Sequence, residues 1–139
     1  MDEKVYSNVT QLRVRYSETD QMGYVYYGNY AQFFEVGRVE AMRGLGMSYR
    51  DLEEQGIMLP VLDYKTKYIK PAKYDDLLTI KTIIRELPEV RIRFEYEVYN
   101  EKEELLNKGE TTLVFIDMKT NRPRRAPQPM IEALSKHLS

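Results

Sequence analysis

The chain of 139 residues has no cysteine, no tryptophan and one histidine, His137. Without cysteine it has no disulfide, no thiol nucleophile and no thiolate metal site. One histidine near the C-terminus cannot build a multi-histidine zinc centre, and it leaves a Ser-His-Asp triad or an Asp-His dyad almost nothing to work with. Neither a metal nor another cofactor is expected. No apolar run approaches the ~20 residues of a membrane-spanning helix. The start, Met1-Asp2-Glu3-Lys4-Val5, is acidic and lacks the apolar stretch of a secretory signal, so a cytoplasmic location is the expectation. Charge of one sign is also missing. Lys plus Arg number 21 and Asp plus Glu 22, for a net charge of −1, which argues against a general nucleic-acid binder.

What is present is a globular composition, 42% hydrophobic and 31% charged. The length fits one domain over residues 1–139, able to bury roughly two-thirds of its unfolded surface. There is no internal repeat and no Gly- or Ser-rich linker.

The patterning is strand, loop, long helix, then strands. Residues 10–17 alternate, with Leu12, Val14 and Tyr16 on one face, as a strand does. Residues 18–28 form a loop punctuated by Gly23 and Gly28. Asn29 is placed to cap a helix running to Gly44 or Gly46. Tyr30, Phe34, Gly37 and Ala41 share one face of that helix. Gly37 inside it costs about 1 kcal/mol relative to Ala, which a close packing partner would explain. Residues 48–55 read as a second, short helix. Strand alternation follows at 62–68, 78–85 and 90–98, and residues 113–116 are apolar on both faces, as in a central or interface-buried strand. A short helix closes the chain from Pro129. Consecutive strands with short turns pair antiparallel, and one helix with an apolar stripe must bury it against their sheet. The expected class is therefore α+β: an antiparallel sheet wrapped around one long central helix.

The segment Asp20-Gln21-Met22-Gly23-Tyr24-Val25-Tyr26-Tyr27-Gly28-Asn29-Tyr30 carries the candidate chemistry. It sets a carboxylate, a Gly-punctuated loop and a helix start within eleven residues. A helix start presents unpaired N–H groups and the positive end of the macrodipole, a place that stabilises an oxyanion. A carboxylate held nearby can attack a carbonyl bound there, or activate water to do so, with neither His nor Cys. The plainer reading is that Asp20 closes a local turn through its side chain.

The run Arg15-Tyr16-Ser17-Glu18-Thr19-Asp20, then Gly23, Val25, Tyr27, Asn29 and Tyr30, then Phe33-Phe34-Glu35 with Arg38, resembles the hotdog-fold acyl-CoA thioesterases of the 4-hydroxybenzoyl-CoA type. The likeness extends through residues 74–80 and 113–117 to Arg122-Pro123-Arg124-Arg125-Ala126-Pro127. It implies a hotdog fold, edge-to-edge dimers that pair into tetramers, and hydrolysis of an acyl-CoA to a free acid and CoA. It implies that Asp20 is the catalytic carboxylate, as nucleophile or as general base. It implies that the Tyr27 backbone N–H polarises the thioester carbonyl; many relatives carry His at that position. Gly28 would allow close approach of substrate, and Tyr24 and Tyr26 would line the acyl pocket. A thiolate leaves readily, so one carboxylate and one oxyanion donor suffice. The alternatives are an acyl carrier protein thioesterase, or a non-catalytic hotdog module binding acyl-CoA or acyl carrier protein.

Glu18, Asp63, Asp75, Asp76 and Glu35 are rival carboxylates. Turn positions suit Asp75 and Asp76, a surface position suits Asp63, and an ion pair with Arg38 or a nearby arginine suits Glu35. The phosphates of coenzyme A need cations. The 4-hydroxybenzoyl-CoA branch carries a basic cluster in the turn that here reads Leu87-Pro88-Glu89-Val90, without a basic residue. Arg85, Arg91, Arg93, Arg122, Arg124 and Arg125 are the candidates to replace it.

Overall fold

The computed structural model of the protein describes residues 4–138. The elements in order are β1 (Tyr6–Arg13), α1 (Tyr30–Gly44), α2 (Tyr49–Glu54), β2 (Ile57–Met58), β3 (Val61–Tyr68), β4 (Leu77–Ile84), β5 (Arg91–Tyr99), β6 (Leu105–Val114), β7 (Ile116–Asp117), β8 (Arg122–Pro123) and α3 (Gln128–Leu138). Five strands form one sheet in the order β1-β4-β5-β6-β3, and every pairing in it is antiparallel. β2, β7 and β8 form a small second sheet.

Alternation decides the faces. On β4, Leu78, Ile80, Thr82 and Ile84 are buried, and on β5 Ile92, Phe94, Tyr96 and Val98 are buried. α1 lies across this inner face with Phe33, Phe34, Gly37, Arg38, Ala41 and Met42 buried. The close partner that Gly37 calls for is β4: a Cβ there would stand 2.5 Å from Thr82 Oγ1 and 3.0 Å from Ile80 Cγ2. Gly109 on β6 does the same for Phe34, whose Cζ would lie 2.5 Å from an added Cβ. The helix sits this near the sheet because glycine occupies both approaches. α1 stops where Gly46 takes φ +84° and the Met47 N–H donates back to the Met42 carbonyl at 3.0 Å.

Several expectations need correction. The first strand spans 6–13 rather than 10–17, because Val14 leaves the ladder to exchange backbone bonds with Asp75 and Asp76. Residues Tyr16–Glu18 instead form a 3-10 turn, so Tyr16 is exposed rather than on a strand face with Val14. Asn29 does not cap α1 through its side chain; a 3-10 turn, Tyr27–Asn29, precedes the helix, and the Asn29 amide donates to the Glu18 carbonyl at 2.8 Å. Residues 113 and 114 are the end of a much longer strand, β6, which lies between β5 and β3. Its first half is polar, at Asn107, Lys108 and Glu110, and carries no strand signature. Arg38 does not pair with Glu35. It is buried, and its guanidinium donates to the hydroxyls of Tyr49 and Tyr96, each at 3.1 Å.

β1 and β3 are the two edges of this sheet, and β3 is the more apolar on its exposed face. Leu62, Tyr64 and Tyr68 are exposed there at 53%, 38% and 49%, an unusual apolar content for a free edge.

Candidate active site

The Asp20 loop is a miniature hairpin. Thr19 bridges Val25, the Asp20 N–H donates to the Tyr24 carbonyl at 2.8 Å, and the Gly23 N–H donates to the Asp20 carbonyl at 3.0 Å. Gly23 adopts φ +80°, which an L side chain resists, so glycine makes the tight return possible. The Asp20 carboxylate is part of this turn: Oδ1 accepts from the N–H of Met22 at 2.9 Å and of Tyr24 at 3.2 Å. The plain reading of Asp20 as a turn-closing residue is thus correct for one oxygen. Oδ2 has no protein partner among the described residues, and the side chain is exposed on the single chain. The turn therefore fixes the carboxylate and leaves one oxygen available.

The helix start is tied to the same loop. The Glu18 carbonyl accepts from the Tyr26 N–H at 2.9 Å and from the Asn29 side chain at 2.8 Å. Glu18 lies two residues before Asp20, so one carbonyl registers the carboxylate strand against the helix entry. The Glu18 carboxylate is itself buried, accepting from the Arg15 N–H at 2.7 Å and from its guanidinium at 3.2 Å. That use is structural and removes Glu18 as a rival. Tyr27 and Gly28 then occupy the first positions of the 3-10 turn, whose N–H groups have no partner within the helix. The Tyr27 carbonyl is engaged, accepting from the Tyr68 hydroxyl at 3.2 Å.

An aromatic cluster surrounds this point. The rings of Tyr26 and Tyr27 lie 4.6 Å apart, Tyr27 and Tyr68 6.4 Å, and Tyr30 and Tyr68 5.5 Å. Tyr26 and Tyr27 are exposed, whereas Tyr30 is buried beneath them. Burial pushes the Tyr30 hydroxyl up to about 12. The neighbouring Tyr27 hydroxyl raises Tyr26 by hydrogen bonding and charge repulsion. A Cβ at Gly28 would stand 2.8 Å from Tyr26 Cε2, so glycine lets that ring lie over the helix start. Tyr24 bridges Lys73 on the far side of the loop.

Tyr26, Tyr27 and Gly28 at the helix start thus meet β3 through Tyr68, and Asp20 and Tyr24 lie in the adjoining turn. The remaining rivals lie elsewhere. Asp76 caps its own turn through the Lys73 N–H at 2.9 Å, Asp75 sits at φ +68° in that turn, and Asp63 and Glu35 are exposed. Tyr68 was hidden in the sequence because it joins the helix start from 41 positions away, although its place on one face of an alternating aromatic strand was visible.

The Thioesterase-like superfamily matches residues 14–134. A putative acyl-CoA thioesterase, YneP of Bacillus subtilis, is 35% identical over 113 residues, which cover 81% of this chain and 82% of that protein. The acyl-CoA thioester hydrolase YbgC of Escherichia coli is 31% identical, over 86% of this chain and 90% of its own length. The crystal structure of a DHNA-CoA thioesterase from Staphylococcus aureus superposes with a TM-score of 0.89 at 40% identity, over 94% of this chain and 89% of that one. The five-stranded antiparallel sheet curved over α1 is the hotdog fold, and the chain belongs to the thioesterase-like superfamily.

Proposed function

We propose that the protein hydrolyses the thioester of an acyl-CoA to a free acid and CoA, with Asp20 as the reacting carboxylate and the Tyr27 N–H as the oxyanion donor. The half-used carboxylate carries this reading: Oδ1 is held by two N–H groups while Oδ2 has no protein partner among the described residues. The substrate carbonyl oxygen lies against the N–H groups at the helix start, where the macrodipole favours developing negative charge. Asp20 acts in one of two ways. Its free oxygen bonds to the carbonyl carbon, the C–S bond breaks, and water opens the resulting anhydride. Otherwise it takes a proton from water as that water attacks. Either route expels CoA as a thiolate, which needs little acid assistance. That suits a site without histidine.

A second copy completes the site in this reading. The edge of β3 pairs with its counterpart about a twofold axis, and Tyr64 and Tyr68 leave solvent as a homodimer forms; such dimers pair again as a homotetramer. The proposed location is the cytoplasm; no helix among the described residues is long and apolar enough to cross a membrane. Tyr24, Tyr26 and Gly28 border the acyl group.

The test is a panel of aromatic and aliphatic acyl-CoAs assayed for free-thiol release. The S. aureus relative is a DHNA-CoA thioesterase, so aromatic acyl groups head the panel. Release well above the spontaneous rate for at least one member is expected. Tight acyl-CoA binding without thiol release would make the protein a non-catalytic binding module instead.

A further inference from the structure

The peptide joining Tyr27 to Gly28 is soft by composition and tethered in the structure. Glycine is required at position 28 by the Tyr26 ring, since a Cβ there would stand 2.8 Å from Tyr26 Cε2. The same glycine leaves its own φ nearly free, so it gives the peptide little intrinsic resistance to rotation. That rotation matters, because the C=O and N–H of a planar trans peptide point in opposite directions. Turning the Tyr27 carbonyl toward the open start of the helix would turn the Gly28 N–H away from it. Two donors hold the carbonyl in place. One is the Tyr30 N–H, within the 3-10 turn itself. The other is the Tyr68 hydroxyl, at 3.2 Å and 41 positions along the chain. Tyr68 is a firm anchor: its backbone is registered opposite Asn107 in the β3–β6 ladder, and its ring meets Tyr30 at 5.5 Å and 73° and Tyr27 at 6.4 Å and 82°. Its hydrogen bond adds little to folding. Tyr68 is half exposed, and water would solvate its hydroxyl if the bond were broken. A bond nearly neutral for stability, reaching from a strand to the one carbonyl that directs the first N–H groups of the helix, fits a role in orientation.

We propose that Tyr68 is a positioning residue for the oxyanion-binding turn: by holding the Tyr27 carbonyl it keeps the Tyr27–Gly28 peptide from rotating, and so aims the Gly28 N–H beside that of Tyr27 at the substrate carbonyl. This inference rests on the thioesterase reading above. Both N–H groups stand at the open start of the turn, where neither has a partner within the helix. A carbonyl oxygen gaining charge under attack by Asp20 or water accepts from both, and the second donor is in place before the reaction begins. Tyr68 touches no reacting atom in this role. Its hydroxyl sits on the carbonyl side of the peptide and the substrate on the N–H side. Its influence therefore falls on the chemical step, equally for every acyl group.

The test uses the full chain and Tyr68→Phe, which keeps the ring and removes the hydroxyl, with Tyr74→Phe as a control for loss of an exposed tyrosine hydroxyl elsewhere. Tyr27–Gly28 is the single Tyr-Gly pair in the sequence, so tyrosine labelled with carbon-13 at the carbonyl and glycine labelled with nitrogen-15 give one resonance pair for that peptide. The Tyr27 carbonyl carbon should move upfield in Tyr68→Phe, as a carbonyl does on losing a donor, and stay put in Tyr74→Phe. Thiol release in single turnovers is expected to fall about three- to tenfold in Tyr68→Phe, the worth of one hydrogen bond. The factor should be the same for every acyl-CoA of the panel, with half-saturation and Tm unchanged. Incorporating para-aminophenylalanine at position 68 supplies an N–H donor on the same ring and should restore the rate. A smaller fall, or an unmoved Tyr27 carbonyl resonance, overturns the proposal. So does a fall that varies with the acyl group or weakens half-saturation, which would make Tyr68 a substrate contact. A rate that stays low with para-aminophenylalanine also overturns it. Failure of the wild type to release thiol from any acyl-CoA overturns the thioesterase reading instead, and the carbonyl resonance then still reports whether Tyr68 holds the turn.

Discussion

Gly109→Ala tests how the helix start is held over the sheet. The added Cβ would lie 2.5 Å from Phe34 Cζ and 3.2 Å from the Lys65 carbonyl oxygen. Carbon atoms pack at about 3.5–4.0 Å, so ring or strand must give by about 1 Å. The Phe34 ring has little room: it is fully buried and stacked on Tyr96 at 4.4 Å and 8°. Overpacking of this kind costs about 1–3 kcal/mol, and the lower entropy of the unfolded alanine chain returns about 0.4–1 kcal/mol. The net expectation is a destabilisation of about 1–2 kcal/mol, or roughly 3–7 °C in Tm for a domain of this size. Denaturant melts of wild type, Gly109→Ala, Phe34→Leu and the double variant give the coupling. Phe34→Leu removes the ring atoms that clash, so the double variant is more stable than additivity predicts by at least ~0.5 kcal/mol. Strict additivity, or a Gly109→Ala variant as stable as wild type, would refute the close approach of α1 to β6.

Tyr96→Phe removes one acceptor from the buried Arg38 guanidinium and the partner of Thr111, at 2.6 Å, so it destabilises the fold by about 1–3 kcal/mol in denaturant melts. Tyr30 and Tyr96 are both pushed up to about 12 by burial. Their folded values exceed the ordinary tyrosine value near ~10, so the unfolded chain ionises first. The stability they contribute is intact below about pH 10 and is lost as pH climbs toward 12. Phenolate absorbance should therefore rise together with unfolding, and Tyr30→Phe should move the alkaline transition upward. Replacing Leu62 with Lys and Tyr64 with Glu should turn the proposed β3-edge dimer into a monomer in sedimentation experiments while leaving far-ultraviolet circular dichroism unchanged.

Much of this was legible in the residues. Period-2 alternation at 78–84 and 92–98 specified both inner faces, and the spacing of Tyr30, Phe34, Gly37 and Ala41 specified the buried stripe of α1. The carboxylate, loop and helix start were visible because they are adjacent in the chain. What was hidden depended on distant partners. Residues 105–110 form a strand through pairing with β3 and β5 rather than through their own pattern. Arg38 faces the hydroxyls of Tyr49 and Tyr96, neither of which is near it in sequence. The docking of residues 115–126 on the turn at 89–90 depends on backbone bonds between them. Asn29 departs from the capping role its position suggests because its amide finds a carbonyl eleven positions earlier in place of the helix it precedes.

The decisive measurement is acyl-CoA turnover by Asp20→Asn. Asparagine Oδ1 can accept the same two N–H bonds from Met22 and Tyr24, so the loop and the Tm should be retained. Only the charge and the reactive oxygen are lost. Thiol release is expected to fall at least ~100-fold with an unchanged melt. A folded Asp20→Asn protein that turns over at near wild-type rate would contradict the role assigned to this carboxylate.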